Sequence, residues 1–167
     1  MQLQSWHLLS EEQQTQVRGI SISSEQIEFA GAGDKQLDSL EQEVSEELVG
    51  LAILLEDAAV GFLVLKRRSK APSWASPKSV VVSGMRIDQR FQGSGVGSRA
   101  LTLLSEWLRH HWPESQEISL SVDELNIRGI KAYSRAGFKD HGQRVQGRIG
   151  WVRYMSKPLQ ASTESAA

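Results

Sequence analysis

Ser79-Val80-Val81-Val82-Ser83-Gly84-Met85-Arg86-Ile87-Asp88-Gln89-Arg90-Phe91-Gln92-Gly93-Ser94-Gly95-Val96-Gly97-Ser98-Arg99-Ala100 is the stretch on which the fold turns. Its first half, an apolar run at Val80–Val82 followed by alternation at Met85 and Ile87, predicts a strand over 79–88. After it, Val96, Ala100, Leu103, Leu104, Trp107, Leu108 and His111 or Trp112 recur at intervals of three and four, predicting a long amphipathic helix that Pro113 ends. Between them, Gln92 to Ser98 carries three alternate glycines, which strip the Cβ atoms from one edge of the turn. Successive backbone N–H groups can then converge on an anion with the helix dipole behind them, so the turn is suited to phosphate. A mere glycine-rich link accounts for one or two glycines, and poorly for three at this spacing. No Gly-Lys-Ser/Thr follows, which argues against a nucleoside triphosphatase. Gly95-Val96-Gly97-Ser98-Arg99-Ala100 also fits a dinucleotide-binding fingerprint, but the strand is preceded by a hairpin and one crossover does not supply two mononucleotide halves.

Upstream, Leu48–Leu55 and Val60–Leu65 are apolar runs separated by Glu56-Asp57-Ala58-Ala59, predicting a buried hairpin covered on both faces. Trp6, Leu8 and Leu9 predict a first short strand, and Ser10 followed by Gln13 has capping-box order for a helix breaking before Gly19. Residues 24–29 form a short element of open type, Gly31-Ala32-Gly33 a turn, and Leu37, Leu40 and Val44 the apolar side of a helix beginning at Asp34. Lys66 to Lys78, with Pro72 and Pro77, is a basic loop. Downstream come a strand at Ile118, Leu120 and Val122, a helix from Asn126 to Gly137, and a hairpin of 138–145 and 149–155. The order predicts one mixed α/β domain over 1–159, with 160–167 a frayed tail. The strand–helix–strand crossover predicts that the strands at 79–88 and 116–123 are parallel neighbours or near neighbours.

The 167 residues are 40% hydrophobic and 23% charged, the composition of an ordinary globular domain. Without cysteine there is no disulfide, thiolate nucleophile or Cys-ligated metal, and the four histidines lack zinc-protease spacing, so no metal is expected. The N-terminus has no basic and apolar leader, and no apolar run approaches the roughly 20 residues of a bilayer span. A cytoplasmic protein is expected, monomeric or homodimeric, with neither nucleic acid nor membrane as partner. The net charge of −1 hides an asymmetry: residues 1–65 carry Arg18 and Lys35 against twelve carboxylates, whereas residues 66–167 carry 17 basic residues against eight.

The segment Ile87 to Leu101 resembles the acetyl-coenzyme A signature of the GNAT superfamily of N-acetyltransferases, Gln/Arg-x-x-Gly-x-Gly/Ala. Leu120-Ser121-Val122-Asp123-Glu124-Leu125-Asn126-Ile127-Arg128-Gly129-Ile130-Lys131-Ala132-Tyr133-Ser134-Arg135-Ala136-Gly137-Phe138 is similar to that family's second motif. The resemblance covers roughly Leu48 to Leu159 and implies a central, mostly antiparallel sheet of six or seven strands, flanked by helices and split by a splayed parallel pair. It also implies acetyl-coenzyme A as cosubstrate. The pantetheine arm then pairs with backbone of Met85, Arg86 and Ile87 in the manner of an added strand, and the pyrophosphate rests on Gly93, Ser94, Gly95, Val96, Gly97 and Ser98, with Gln92 at the mouth. Asn126 reads equally as a helix N-cap and as a cofactor contact.

Helical spacing alone makes Tyr133 a core aromatic; the resemblance makes it the general acid that protonates the departing thiolate. An amine attacks the acetyl carbonyl directly in this scheme. Some relatives place a glutamate base where Ser121 stands, so Asp123, Glu124 and the carboxylates of residues 1–65 remain as bases. In this family the N-terminal third shapes the acceptor site, and its acidity points to a small cationic amine such as a polyamine, with a protein lysine or N-terminal amine as the alternative. A coenzyme-binding sensor without chemistry is the remaining alternative, which the presence of Tyr133 disfavours.

Overall fold

The computed structural model describes residues 1–30 and 33–159. Its strands are β1 (Gln2–Ser5), β2 (Leu48–Leu55), β3 (Ala58–Lys66), β4 (Ser79–Ile87), β5 (Glu117–Asp123), β6 (Lys139–Gln146) and β7 (Trp151–Pro158). They form one sheet of order β1-β2-β3-β4-β5-β7-β6. Every adjacent pair is antiparallel except β4–β5, as the crossover requires. The helices are α1 (Glu11–Arg18), α2 (Ser24–Ala30), α3 (Gly33–Gln42), α4 (Val96–His111) and α5 (Ile127–Arg135).

Alternation along the strands sorts the core into two faces. Leu63 and Leu65 of β3, Val80 and Val82 of β4, and Ile118, Leu120 and Val122 of β5 pack with Leu101, Leu104 and Leu108 of α4. The intervening Phe62 and Val64 of β3, with Ala52 and Leu54 of β2, pack against Val17 of α1 and Leu37 and Leu40 of α3. Both faces of β2 and β3 are therefore covered, which is why their sequence is continuously apolar. Each fully buried Leu, Ile or Phe contributes about 1.5–3 kcal/mol, so this double layer is a firm platform for whatever lies at the strand ends.

Several boundaries differ from the sequence expectations. The first strand ends before Trp6, and Trp6–Leu8 is a 3-10 turn. That turn drops the indole into the core, edge-on to Phe62 at 6.0 Å. The β2–β3 turn is only Glu56-Asp57, both at positive φ (46° and 67°) as a two-residue hairpin demands, so Ala58 and Ala59 belong to β3. Residues 24–30 are helical, and α3 stops at Gln42, leaving Val44 exposed outside it. The capping box forms as read: Gln13 N–H donates to Ser10 Oγ at 3.1 Å and Ser10 N–H to Gln13 Oε1 at 3.0 Å. The expected turn at Gly31-Ala32 and the tail 160–167 lie outside the described residues, while Gly33 opens α3.

One irregularity positions the site. Phe62 faces Arg86 and Val64 faces Ser83, so β4 carries one more residue than β3 across this step. The bulge contains Gly84 at φ +58°, where a Cβ would stand 1.9 Å from Gln36 Nε2, so only glycine fits without displacement. The extra residue lets Met85 and Ile87 continue on the α4 side while Arg86 turns to the α2–α3 side.

Candidate active site

The β4–β5 ladder runs only from Ser79–Glu117 to Val81–Ser119. Beyond it the strands part around a cleft of about 850 Å³, which α2, the turn before α4 and α5 complete. The parting leaves one edge of β4 from Val82 to Ile87 without a strand partner, the edge an extended ligand can use.

At one end stands the glycine turn. Asp88 is buried and holds the entry to it: its carboxylate accepts from Arg90 Nε at 2.9 Å, Arg90 N–H at 3.0 Å and Ser21 N–H at 3.1 Å. Burial alone would raise the Asp88 carboxyl, but the hydrogen bonds from Arg90 and from the two amides outweigh it and hold the group below the usual carboxylate range. Gln92 Nε2 donates to Ile87 O at 2.7 Å and exchanges hydrogen bonds with Gln26 of α2 at 3.1 Å, tying the turn to β4 and α2 together. Gly93 (φ +81°) and Gly95 (φ +82°) adopt the left-handed conformation, and a Cβ at either would meet no atom within 4 Å. Glycine is needed there for its backbone conformation, and the space it leaves is open to a ligand. Gly95 is the N-cap of α4, so the free amides of the first turn face the cleft mouth.

Of the residues singled out from the sequence, Met85, Arg86, Ile87, Gln92, Gly93, Gly95, Val96, Gly97, Ser98, Asn126 and Tyr133 line this one cleft. Ser94 is absent from its lining, and its hydroxyl donates to Phe91 O at 2.8 Å. Asn126 caps α5, with Oδ1 accepting from Gly129 N–H at 3.0 Å. Arg86 directs its side chain away from the turn: Nε donates to Gly84 O at 3.3 Å, and Nη2 to Ala30 O at 3.3 Å and Gln36 Oε1 at 3.2 Å. Burial lowers the pKa of its guanidinium and nearby Asp34 opposes that shift.

Tyr133 packs edge-on to Phe138 with ring centroids 5.9 Å apart, and burial pushes its phenol up to about 12. It is a neutral proton donor at any ordinary pH. Its hydroxyl makes no hydrogen bond to the described residues, so the proton is not committed elsewhere. Asp123, at the end of β5, lines the cleft, and burial raises its carboxyl against a smaller opposing pull from Arg148. Glu124 is excluded as a base. Hydrogen bonds from Arg144 and Arg153 hold it below the usual carboxylate range, with ion pairs of 2.6 and 2.9 Å, and it does not line the cleft.

The acidic N-terminal third supplies no carboxylate to the lining of this cleft: among the described residues the charged groups there are Lys66, Lys70, Arg86, Asp123, Arg128 and Arg135. Glu41 is spent on Arg18 at 2.6 Å and Glu43 on Lys70. Sequence reasoning also missed Gln26, Gln36 and Trp74. Trp74 packs against Tyr154 with ring centroids 4.7 Å apart and planes tilted by 41°, and an aromatic isolated in a basic, proline-bearing loop was the only local signal for it.

A strand edge opened between two parallel strands, with a helix N-terminus at its mouth, suits an extended, phosphate-bearing ligand. The chain belongs to the acetyltransferase (GNAT) family, whose model matches residues 9–138. It is a GNAT-type N-acetyltransferase, and acetyl-coenzyme A is its cosubstrate. It is 31% identical over 125 residues to the uncharacterized N-acetyltransferase YbbJ of Bacillus subtilis (strain 168), covering 70% of this chain and 78% of that one. The fold is similar to aminoglycoside acetyltransferase AAC(6')-Ib in complex with ribostamycin and coenzyme A, with TM-score 0.74, 20% identity, and 99% and 98% of the two chains covered. It is also similar to spermidine N-acetyltransferase from Vibrio cholerae in complex with CoA and spermine, with TM-score 0.71, 13% identity and 95% of each chain covered. Among the described residues no helix is long and apolar enough to cross a membrane.

Proposed function

We propose that this enzyme transfers the acetyl group to a primary amine of a small molecule by direct attack, with Tyr133 as general acid and Asp123 as general base. The observation that carries the proposal is the convergence of the glycine turn, the open β4 edge, Tyr133 and Asp123 on a single cleft. The residues fit the cosubstrate: the unpaired edge of β4 offers backbone groups at Met85, Arg86 and Ile87 to the pantetheine amides, and Gly93 to Ser98 with Gln92 and Asn126 frame the pyrophosphate end. When bound, acetyl-coenzyme A supplies an activated acyl group with a thiol as leaving group.

The protein's part is positioning and proton transfer. Asp123, its carboxyl raised by burial, accepts a proton from the ammonium form of the acceptor and leaves a nucleophilic amine. A backbone N–H of the β4 edge polarises the carbonyl under attack. Tyr133, protonated because burial lifts its phenol to about 12, delivers a proton to the departing sulfur, and the proton that the attacking nitrogen sheds as the amide forms restores the phenol. No acyl-enzyme is needed, which accords with a chain lacking cysteine.

For the acceptor, steering of a polycation by an acidic wall has no counterpart in the cleft, where Asp123 is outnumbered by lysine and arginine. A small amine of low positive charge suits this lining better than a polyamine. The test is thiol release from acetyl-coenzyme A across a panel of monoamines, polyamines, amino acids, aminoglycosides and lysine peptides, at low and raised ionic strength. A best substrate among the polyamines with strongly salt-dependent kcat/KM would restore the cationic reading.

A further inference from the structure

Beside the cleft lies a second, open-mouthed cavity of about 360 Å³, bordered by α1, α2 and α3. Val17, Leu37 and Phe62 of the core line it, and so do Ile22 and Ile27. Ile27 is 46% exposed, an apolar side chain that folding leaves uncovered beside a hollow whose apolar side is Val17, Ile20, Ile22, Leu37 and Phe62 and whose rim carries Arg18, Ser21, Asp34 and Arg86. Ile22 and Arg86 line both cavities, so the two adjoin. Arg86 stands as the partition, pinned by Ala30 O, Gly84 O and Gln36 Oε1.

We infer that this side cavity is an acceptor subsite that takes an apolar group carried by the amine substrate, such as an alkyl or aryl tail of about six to ten carbons. The inference rests on the proposed acetyl transfer and deepens it. A cavity of about 150 Å³ lined by aliphatic and aromatic side chains takes benzene, so 360 Å³ has room for a tail of that size. The amine then lies in the main cleft near Asp123 and Tyr133, the tail passes Arg86, and its carbons meet Ile22, Ile27, Leu37 and Phe62. Of the charged groups that line it, the Asp34 carboxylate opposes the Arg86 guanidinium, and Arg18 is paired with Glu41 at 2.6 Å, so no charge of the lining is left uncompensated.

Propylamine, butylamine, hexylamine and phenylethylamine carry tails of rising size on one kind of primary amine. Each buried methylene is worth about a fourfold gain, so the apparent KM should fall at least about tenfold from propylamine to hexylamine while kcat stays nearly level. Ile27→Asn, on an exposed position outside the catalytic machinery, should raise the hexylamine KM severalfold and leave propylamine within about twofold. Calorimetry of the same amines on the CoA-saturated protein reads the subsite without turnover. A flat affinity series, or an Ile27→Asn effect equal for both amines, overturns the subsite. If the gradient appears in binding but no amine in the series is acetylated, the subsite stands and the acetyl-transfer assignment to such amines falls instead.

Discussion

Replacing Tyr133 by phenylalanine removes a single oxygen that has no hydrogen-bond partner among the described residues. The ring keeps its edge contact with Phe138 and its packing against the α4–α5 core. Stability should therefore change by less than about 1 kcal/mol, since no donor or acceptor is orphaned. Affinity for coenzyme A should hold, because the backbone of β4 and of the glycine turn is untouched. The chemical step should slow by about 10²–10⁴-fold, the range of general acid catalysis, which is about 2.7–5.4 kcal/mol of transition-state stabilisation. The measurement is single-turnover acetyl transfer beside steady-state kcat and calorimetric titration of coenzyme A. With the phenol lifted to about 12 in the folded protein, Tyr133 stays protonated throughout the neutral range, so wild-type activity should show no loss from its ionisation below about pH 10. Unchanged turnover in Tyr133→Phe would return the residue to a packing role, and equal loss of coenzyme A affinity would show that it holds the ligand.

Asp123→Asn should lower kcat at neutral pH; because burial raises this carboxyl, wild-type activity should fall as pH drops through a value above the usual carboxylate range, and that limb should flatten in the variant's pH–rate profile. Gly95→Glu should abolish coenzyme A binding by calorimetry, since the carboxylate meets the phosphates at the α4 N-terminus, while Gly95→Ala should cost about 1–2 kcal/mol of stability through its left-handed backbone, read by urea unfolding. Asp88 has a depressed folded pKa, so its contribution of about 1–3 kcal/mol is present above the ordinary carboxylate pKa and is lost as pH falls through the depressed one; the stability gap between wild type and Asp88→Asn should close on acidification.

What could be read in the chain was whatever depended on near neighbours in sequence. The glycine turn, the amphipathic face of α4 and the Ser10 capping box are all patterns within a few turns of backbone, and so was the Asn126 cap. The parallel pairing of β4 and β5 followed because a strand–helix–strand unit has one handedness open to it. What could not be read depended on partners far away. Where the carboxylates of residues 1–65 go could not be read: Glu41, Glu43 and Asp34 answer to Arg18, Lys70 and Arg86, and only the folded chain shows those meetings. The packing of Trp74 against Tyr154 joins residues 80 apart. Trp6 was placed in a strand because its apolar neighbours alternate, whereas burying an indole against Phe62 required the chain to turn.

The extra residue at Ser83–Gly84 makes β4 a strand with two phases, its first half in step with β3 by one rule and its second half by another. Delete Gly84 and every side chain after it turns over: Met85 and Ile87 would point at α3, and Arg86 would enter the apolar layer beneath α4. Strand length here carries information that composition does not, assigning alternate residues to the cleft beside α4 and to the cavity among α1, α2 and α3. Met85 and Ile87 border the first alone, whereas Arg86 borders both. On the proposed reading, substitutions deeper in the side cavity, at Ile27 or Leu37, change the acceptor preference of this scaffold while the grip on the acyl donor stays the same.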